Sequence, residues 1–156
     1  MDYLLGTYEC KVDAKGRLPL PAAVKKQLVE VMEDGFVLKR AIFQKCLEIH
    51  TMDQWKKTMA KISKLNRFVK KNDDFIRRFT AGVKVVEVDA AGRVQISKDL
   101  VSFAEIDKEV VLVLNLDVIE IWDKDEYEKA IAVDLEDFAA LAEDVMGDKD
   151  DEFELP

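Results

Sequence analysis

Cysteine, histidine and proline are scarce in this chain of 156 residues, which contains two, one and three of them respectively. Cys10 and Cys46 lack metal-ligand spacing and give no support for a zinc site or a disulfide framework, so we expect two reduced thiols packed in strands. No cysteine or serine partner for His50 can be inferred from the local sequence, and the chain has no glycine-rich phosphate loop. These absences predict a protein that is not an enzyme and that binds no metal, cofactor or small-molecule ligand.

Long hydrophobic runs and a basic N-terminal start are also missing. No apolar run approaches the roughly 18 residues that a membrane span needs, and Met1-Asp2-Tyr3 lacks the positive charge of a secretory signal. The composition, 49% apolar and 36% charged, is that of an ordinary folded globular protein. We therefore expect a cytoplasmic protein without membrane contact, long enough for two small units that share a core.

The formal net charge of -8 conceals two halves of opposite sign. Residues 1–97 contain 19 Lys and Arg against 12 Asp and Glu, a net charge of +7. Residues 98–156 contain 5 against 20, a net charge of -15. The first part can attract phosphate although the whole chain is acidic, so the charge does not argue against a nucleic-acid partner.

The pattern Asp-x-x-Gly-Arg occurs twice, each time between two segments of alternating apolar residues. The two copies are Asp13-Ala14-Lys15-Gly16-Arg17 and Asp89-Ala90-Ala91-Gly92-Arg93. Each predicts a hairpin turn, in which the glycine takes a positive φ and the aspartate accepts backbone N–H bonds. We interpret four residues as structural turn residues: Asp13, Gly16, Asp89 and Gly92.

Three basic residues of these turns are the candidates for contact with a ligand: Arg17, Arg93 and the tip residue Lys15. Arginine offers a planar fork that fits phosphate or a guanine edge. A second interpretation stays open, in which each arginine only pairs with the aspartate of its own turn. The lysines that follow Trp55 are interpreted as a solvated helix face and not as a site.

The segments around the two turns follow the same order, which is strand, turn, strand, helix, strand, strand. Equivalent residues are 76 positions apart near the turns and 72 apart near the later strands. Pro21 is expected to open the short helix of the first unit, and Ser97 to cap that of the second. The predicted parts are a first unit at 7–54, a basic helical connector at 55–82 with a break at Asn72-Asp73-Asp74, a second unit at 83–126, a C-terminal helix at 127–147 and an acidic tail at 148–156.

Several segments together closely resemble the MraZ family. They are Leu5-Gly6-Thr7-Tyr8, the two Asp-x-x-Gly-Arg turns, Cys46-Leu47-Glu48-Ile49 with Trp55, and Ile119-Glu120-Ile121-Trp122. The resemblance implies an α+β fold: two tandem AbrB-like (SpoVT-AbrB) swapped-hairpin β-barrel units with short helices. It further implies a transcriptional regulator of the bacterial division and cell-wall gene cluster. Such a regulator binds promoter direct repeats as a ring-shaped homo-oligomer and is associated with the nucleoid.

By this resemblance Arg17 is the first DNA contact, Lys15 lies beside it, and Arg93 is the matching residue of the second half. The chain departs from the family pattern at Lys25, where Arg is common, at Ser97, where Pro is common, and at Val101, where Arg is frequent. We therefore expect the first half to read DNA and the second half to be mainly structural. The acidic tail is expected to repel nonspecific DNA. The alternative is an AbrB-like protein-binding module, antitoxin-like or a scaffold, without a DNA role.

Overall fold

The computed structural model describes residues 3–147. It contains eight strands: β1 (Leu4–Lys11), β2 (Arg17–Pro19), β3 (Phe36–Arg40), β4 (Leu47–Thr51), β5 (Lys84–Val86), β6 (Arg93–Gln95), β7 (Glu109–Leu116) and β8 (Val118–Asp123). The six α-helices are α1 (Ala22–Gln27), α2 (Met52–Ile62), α3 (Lys70–Phe79), α4 (Lys98–Phe103), α5 (Lys124–Ile131) and α6 (Leu135–Ala142). A 3₁₀ turn (Met32–Asp34) precedes β3, and a π-helical turn (Glu143–Gly147) follows α6. The acidic tail predicted at 148–156 lies outside the described residues.

Both sheets contain strands from both halves of the chain. A six-stranded antiparallel sheet has the order β1-β7-β8-β4-β3-β5, and a separate two-stranded sheet pairs β2 with β6. The first strand of the first half therefore pairs with β7 of the second half, and β4 pairs with β8. Neither half has a complete sheet of its own. This exchange is the swapped-hairpin arrangement that the resemblance implies, so the predicted α+β fold is confirmed.

The strand pattern explains why both halves share the main hydrophobic core. Along β1 the side chains alternate between inward and exposed positions, as period-2 apolar spacing requires. The main cluster draws on both halves and includes Leu18, Val24, Leu38, Leu47, Val94, Leu100, Leu112 and Ile121. Truncating one such leucine to alanine costs roughly 2–5 kcal/mol. Because the core is shared, a defect in either half is expected to destabilise the whole molecule.

The two short helices after the turns begin where the sequence predicts. Pro21 is the N-cap residue of α1, where its fixed φ and missing N–H are tolerated. Ser97 occupies the N-cap position of α4, but its side chain makes no capping hydrogen bond. The predicted position is confirmed, whereas the predicted cap bond is wrong. Backbone bonds close the first turn of α4 instead, from the N–H groups of Leu100 and Val101 to the carbonyl oxygen of Ser97.

The connector is a pair of helices, and its predicted break is wrong. Asn72, Asp73 and Asp74 lie inside α3, which begins at Lys70, whereas the chain leaves helical geometry after Ile62. Carboxylates are favoured near a helix N-terminus, and Asp73 also receives hydrogen bonds from Arg67 and Arg77. The acidic residues therefore do lie near the start of a helix, but that helix begins at Lys70 and not after them.

A buried lysine joins the connector to the six-stranded sheet. Lys39 of β3 is fully buried, and its Nζ lies 3.5 Å from Glu48 Oε1 and 4.6 Å from the ring centroid of Phe79. Phe79 stacks on Trp55 of α2 with 5.9 Å between the ring centroids. Burial lowers the pKa of Lys39, and the nearby Glu48 carboxylate opposes that effect. This contact fixes both connector helices against β3 and β4.

The C-terminal helix predicted at 127–147 is divided in two, so that prediction is wrong in part. Helix α5 ends at Ile131, and Asp134 then caps α6 by accepting a hydrogen bond from Asp137 N at 2.8 Å. A capping aspartate starts a new helix because it satisfies an N–H group that has no partner within the helix. No residue of α5 or α6 is buried. Within residues 3–147, no helix is long and apolar enough to cross a membrane.

Candidate nucleic-acid interface

The first turn, residues 13–17, is organised by the carboxylate of Asp13. Its Oδ1 accepts hydrogen bonds from Lys15 N and Arg17 N, both at 2.9 Å, and its Oδ2 accepts one from Arg17 Nε at 2.7 Å. The backbone N–H of Arg17 first, and then its guanidinium, hold the pKa of Asp13 below the ordinary value of 3.8. The carboxylate therefore fixes both the bend and the direction of the Arg17 side chain.

The second turn, residues 89–93, repeats this geometry. Asp89 Oδ1 accepts from Ala91 N at 2.9 Å and Arg93 N at 2.8 Å, and Oδ2 accepts from Arg93 Nε at 3.2 Å. The backbone N–H and the charge of Arg93 hold the pKa of Asp89 below 3.8. The predicted structural role of both aspartates is therefore visible in the contacts of both turns.

The turn glycines have the positive φ that the motif requires. The φ angles are +80° at Gly16 and +79° at Gly92, in a region where a β-carbon is strained. A β-carbon on Gly16 would also lie 2.5 Å from the backbone oxygen of Ile96. On Gly92 the nearest atom would be the flexible Lys25 Nζ, at 2.9 Å. The first turn is thus the more tightly enclosed by backbone.

The two turns are joined by the ribbon, defined here as the pair β2 and β6. In its antiparallel register, Arg17 is opposite Gln95 and Pro19 is opposite Arg93. The central pair, Leu18 and Val94, is buried. Because side chains alternate between faces, the other four residues share the outer face of the ribbon.

Backbone bonds tie each turn to the opposite strand of the ribbon. Ile96 N donates to Gly16 O at 2.7 Å, and Leu20 N donates to Gly92 O at 2.9 Å. Each turn glycine of one half therefore accepts a bond from the strand end of the other half. The two turns form a single pseudo-symmetric structure, although the sequence separates them by 76 positions.

Both predicted arginines are half-exposed on this surface. Their side chains are 33% exposed at Arg17 and 34% exposed at Arg93, so the geometry does not distinguish the two halves. Each arginine pairs with the aspartate of its own turn through Nε, a contact that the second interpretation of the turns requires. In the described part of the chain, their terminal Nη atoms make no hydrogen bond. The ion pair therefore orients each guanidinium and leaves its outer edge open for a ligand.

Lys15 lies at the exposed tip of the first turn, and Gln95 supports that tip. Gln95 Nε2 donates to Lys15 O at 2.6 Å and to Ile96 O at 3.3 Å. Sequence reasoning missed Gln95 because its role depends on the pairing of β2 with β6. The equivalent residue of the first half is Pro19, whose side chain cannot donate a hydrogen bond.

The two turns differ in what lies beside them. The Lys25 side chain covers the second turn at Gly92. The equivalent residue of the second half is Val101, and there an open cleft of about 490 Å³ separates the first turn from α4. The departures from the family pattern at these two positions therefore make the surroundings of the turns unequal, while the turns themselves remain alike.

Other reactive groups are occupied or buried. His50 is 3.0 Å from Glu48 Oε1 and packs edge-on against Trp55. Burial raises the pKa of Cys10 to about 11 and that of Cys46 to about 12. Among residues 3–147, no group of three His, Cys, Asp or Glu side chains lies close enough to hold a metal ion. The ribbon with its two turns is therefore the surface to which the predicted site residues converge.

Comparison with known proteins gives the same family for both halves. The family described as "MraZ protein, putative antitoxin-like" matches residues 3–78 and again residues 79–148. The chain belongs to the MraZ family. It is 61% identical over 147 residues to the "Transcriptional regulator MraZ" of Christiangramia forsetii, covering 94% of this chain and 95% of that protein. The protein of the same name from Flavobacterium psychrophilum is 59% identical over 154 residues, covering 98% of both chains.

A more distant member of the MraZ family also aligns along nearly the whole chain. The "Transcriptional regulator MraZ" of Cytophaga hutchinsonii is 38% identical over 143 residues, covering 92% of this chain and 94% of that protein. The two family matches follow one another along the chain, as the duplicated turn motif predicts. The predicted resemblance is thereby confirmed. The individual unit boundaries, at 54, 82 and 126, stay predictions.

Proposed function

We propose that this chain is a sequence-specific DNA-binding transcriptional regulator of the bacterial division and cell-wall gene cluster. It binds direct repeats in the promoter of its own gene as a ring-shaped homo-oligomer associated with the nucleoid. The shared name of three relatives, "Transcriptional regulator MraZ", supports the general role. The observation that carries the proposal is the position of Arg17 and Arg93 on one outer face of a two-stranded ribbon.

The shape of the ribbon is suited to DNA. The major groove of B-DNA admits a two-stranded β-ribbon, and arginine can bind the O6 and N7 atoms of guanine with two hydrogen bonds. Diagonal neighbours on an antiparallel pair are about 7–8 Å apart, so both arginines can reach one groove. In the proposed complex Arg17 and Arg93 contact base edges or phosphates, and Lys15 contacts the backbone from the tip of the first turn.

The fixed turns also favour binding. Each arginine is already oriented through its Nε by the aspartate of its own turn. Ordering a long side chain on binding costs about 0.5–1.5 kcal/mol, and this cost is smaller for a side chain that is oriented beforehand. One ribbon offers few contacts, so a single chain is expected to bind weakly. A ring that presents many ribbons to consecutive direct repeats raises the effective concentration of each ribbon.

A mobility-shift assay tests the proposed function. The probe is DNA from upstream of the protein's own gene, and a scrambled duplex of the same length is the nonspecific control. Arg17→Ala and Arg93→Ala are expected to weaken the specific shift. Lys45→Ala, which removes an exposed lysine paired with Glu105 on a different loop, is expected to leave it unchanged. An unshifted upstream probe at low salt with the unmodified chain would overturn the proposal.

The alternative function is an AbrB-like protein-binding module without a DNA role. The antitoxin-like description of the family supports this alternative, as do fully exposed aromatic side chains such as Phe43 and Phe68. A stoichiometric protein partner that co-purifies with the chain, combined with no DNA shift at low salt, would favour it.

A further inference from the structure

Two exposed surfaces of opposite charge lie outside the ribbon. The basic hairpin is defined as residues 52–79, which contain α2, α3 and the loop between them. The acidic arm is defined as residues 131–147, which contain α6 and the π-helical turn. The basic hairpin holds nine Lys and Arg against three Asp, a net charge of +6. The acidic arm holds five Asp and Glu and no basic residue, a net charge of -5.

The acidic arm has an apolar stripe that nothing in the described chain covers. Its large apolar side chains are 46% to 88% exposed, and they are Ile131, Val133, Leu135, Phe138, Leu141 and Val145. Those within α6 and the following turn recur at intervals of three to four residues, which is the spacing of one helix face. Isolated helices shorter than about 12–15 residues are marginal in water. The arm therefore needs a partner surface to hold its helical form.

The basic hairpin offers a surface with matching features. Phe68 is fully exposed, and Phe75 is 47% exposed. A shallow groove of about 500 Å³ on α3 is lined by Phe75 together with Lys71, Asp74, Arg77 and Arg78. It is large enough for one aromatic side chain such as Phe138. The groove thus combines an apolar floor with a basic rim.

Several cations of the basic hairpin are available for pairing. Lys57, Arg67, Lys70 and Arg77 pair with aspartates of the hairpin itself. Within residues 3–147 the remaining five form no ion pair, and they are Lys56, Lys61, Lys64, Lys71 and Arg78. No ion pair joins the hairpin to the acidic arm of the same chain in this part of the molecule. Both surfaces are therefore open toward another molecule.

We propose that the acidic arm of one chain docks on the basic hairpin of a second copy of the same chain. The apolar stripe packs against Phe68 and Phe75, and the arm's carboxylates pair with Lys71, Arg78 and their neighbours. Because each chain carries both surfaces, the contact is head-to-tail and closes into a ring where the rotation between copies allows it. This inference deepens the assembly part of the proposed function, on which it rests, by assigning the surfaces that meet.

Complementary charge reversals test the docking on the full-length chain without DNA. Glu136→Lys with Asp137→Lys reverses two carboxylates of the arm, and Lys71→Glu with Arg78→Glu reverses two cations at the rim of the groove. Juxtaposed like charges oppose docking, so each reversal is expected to raise the concentration for half-assembly about tenfold or more, measured by light scattering and sedimentation. The matched control, Glu30→Lys with Glu33→Lys, reverses two exposed carboxylates elsewhere and is expected to leave assembly unchanged. Circular dichroism verifies that each variant is folded.

Mixing the two reversed proteins separates docking between copies from docking within one chain. In the mixture, the altered arm of one protein can dock on the altered hairpin of the other, and the two unaltered surfaces can dock as before. An equimolar mixture is therefore expected to regain assembly. The quadruple variant is expected to regain it as well. Contact within one chain would respond to the quadruple variant but not to mixing, and that result would overturn the proposal.

The remaining outcomes also distinguish the claims. An oligomer that is insensitive to both reversals would overturn this docking and leave the assembly intact. A wild-type chain that is monomeric at all concentrations would overturn the proposed assembly together with the docking. If the hairpin variant assembled normally but lost DNA affinity in a separate mobility-shift assay, the hairpin would be a DNA surface, and this result would likewise overturn the proposal.

Discussion

Arg17 and Arg93, separated by 76 positions in the sequence, are diagonal neighbours on the outer face of one two-stranded ribbon. Each is held by the aspartate of its own turn, at 2.7 Å and 3.2 Å respectively. The ribbon exists only because β2 of one half pairs with β6 of the other. Duplication of the turn has therefore produced one paired surface from two separate motifs, and the geometry gives both halves equivalent arginines.

The turn glycines are expected to differ in their tolerance of a side chain. Gly16→Ala places a β-carbon 2.5 Å from the rigid backbone oxygen of Ile96, whereas Gly92→Ala meets the movable end of Lys25. The positive φ alone costs about 1–2 kcal/mol in each case. We expect Gly92→Ala to lower the free energy of unfolding by about that amount and Gly16→Ala to lower it further, as measured by urea denaturation. An equal or larger loss for Gly92→Ala would contradict the assigned packing of the first turn.

The turn carboxylates are expected to make stability depend on acid. Folding lowers the pKa of Asp13 and Asp89 below 3.8, so their ionised forms stabilise the folded state. This contribution is complete above the unfolded-state pKa and is lost as the pH falls through the lower folded-state pKa. Asp13→Asn and Asp89→Asn should therefore reduce stability at neutral pH, and their deficit relative to the unmodified chain should shrink in acid. Urea denaturation from neutral pH down through the folded-state pKa values measures the effect. A stability deficit that does not change with pH would refute it.

The buried lysine is expected to matter for the connector. Lys39→Met leaves the Glu48 carboxylate with His50 as its remaining partner and removes the cation from the Phe79 ring. Loss of one member of a buried ion pair strongly destabilises proteins, and we expect a loss of roughly 2 kcal/mol here because Glu48 is partly exposed. Lys39→Met combined with Glu48→Gln should recover part of this loss in thermal or urea unfolding. A double variant less stable than Lys39→Met would show that the charges are not coupled in this way.

Both cysteines are expected to be inert in the folded protein. Burial raises the pKa of Cys10 to about 11 and that of Cys46 to about 12, so almost no thiolate forms at neutral pH. A thiol-reactive dye at pH 7.5 should label the native chain far more slowly than the urea-unfolded chain. Rapid native labelling of either cysteine would show that its surroundings are open.

The sequence correctly predicted the elements that depend only on residues close to one another along the chain. The alternation of Tyr8, Cys10 and Val12 predicts β1, and the spacing of Asp13 and Gly16 predicts the first turn with its bonds. Both predictions concern neighbouring residues, where side-chain period and turn chemistry decide the structure. The Asp-to-Arg pair of each turn is also an interaction between residues close together in the sequence.

Contacts between the halves could not be predicted in this way. The adjacency of Arg17 and Arg93, and the support that Gln95 gives to Lys15, depend on which strands pair across the repeat. The predicted helix boundaries were wrong where two local sequence signals competed. An aspartate such as Asp73 is favoured both as a cap and in the first turn of a helix. The apolar spacing from Tyr127 to Val145 continues across Asp134, so it gives no sign that a new helix starts there.

The most direct measurement is the salt dependence of DNA binding for the unmodified chain, Arg17→Ala, Arg93→Ala and the double variant. The slope of log affinity against log salt concentration reports the number of phosphate contacts, with about one unit lost per contact removed. We expect each single variant to weaken binding and, where its arginine contacts phosphate, to flatten the slope by about one unit per chain, with a larger effect in the double variant. Unchanged affinity and slope for Arg93→Ala would contradict a DNA surface built from both halves, and unchanged values for both single variants would remove the ribbon from the site.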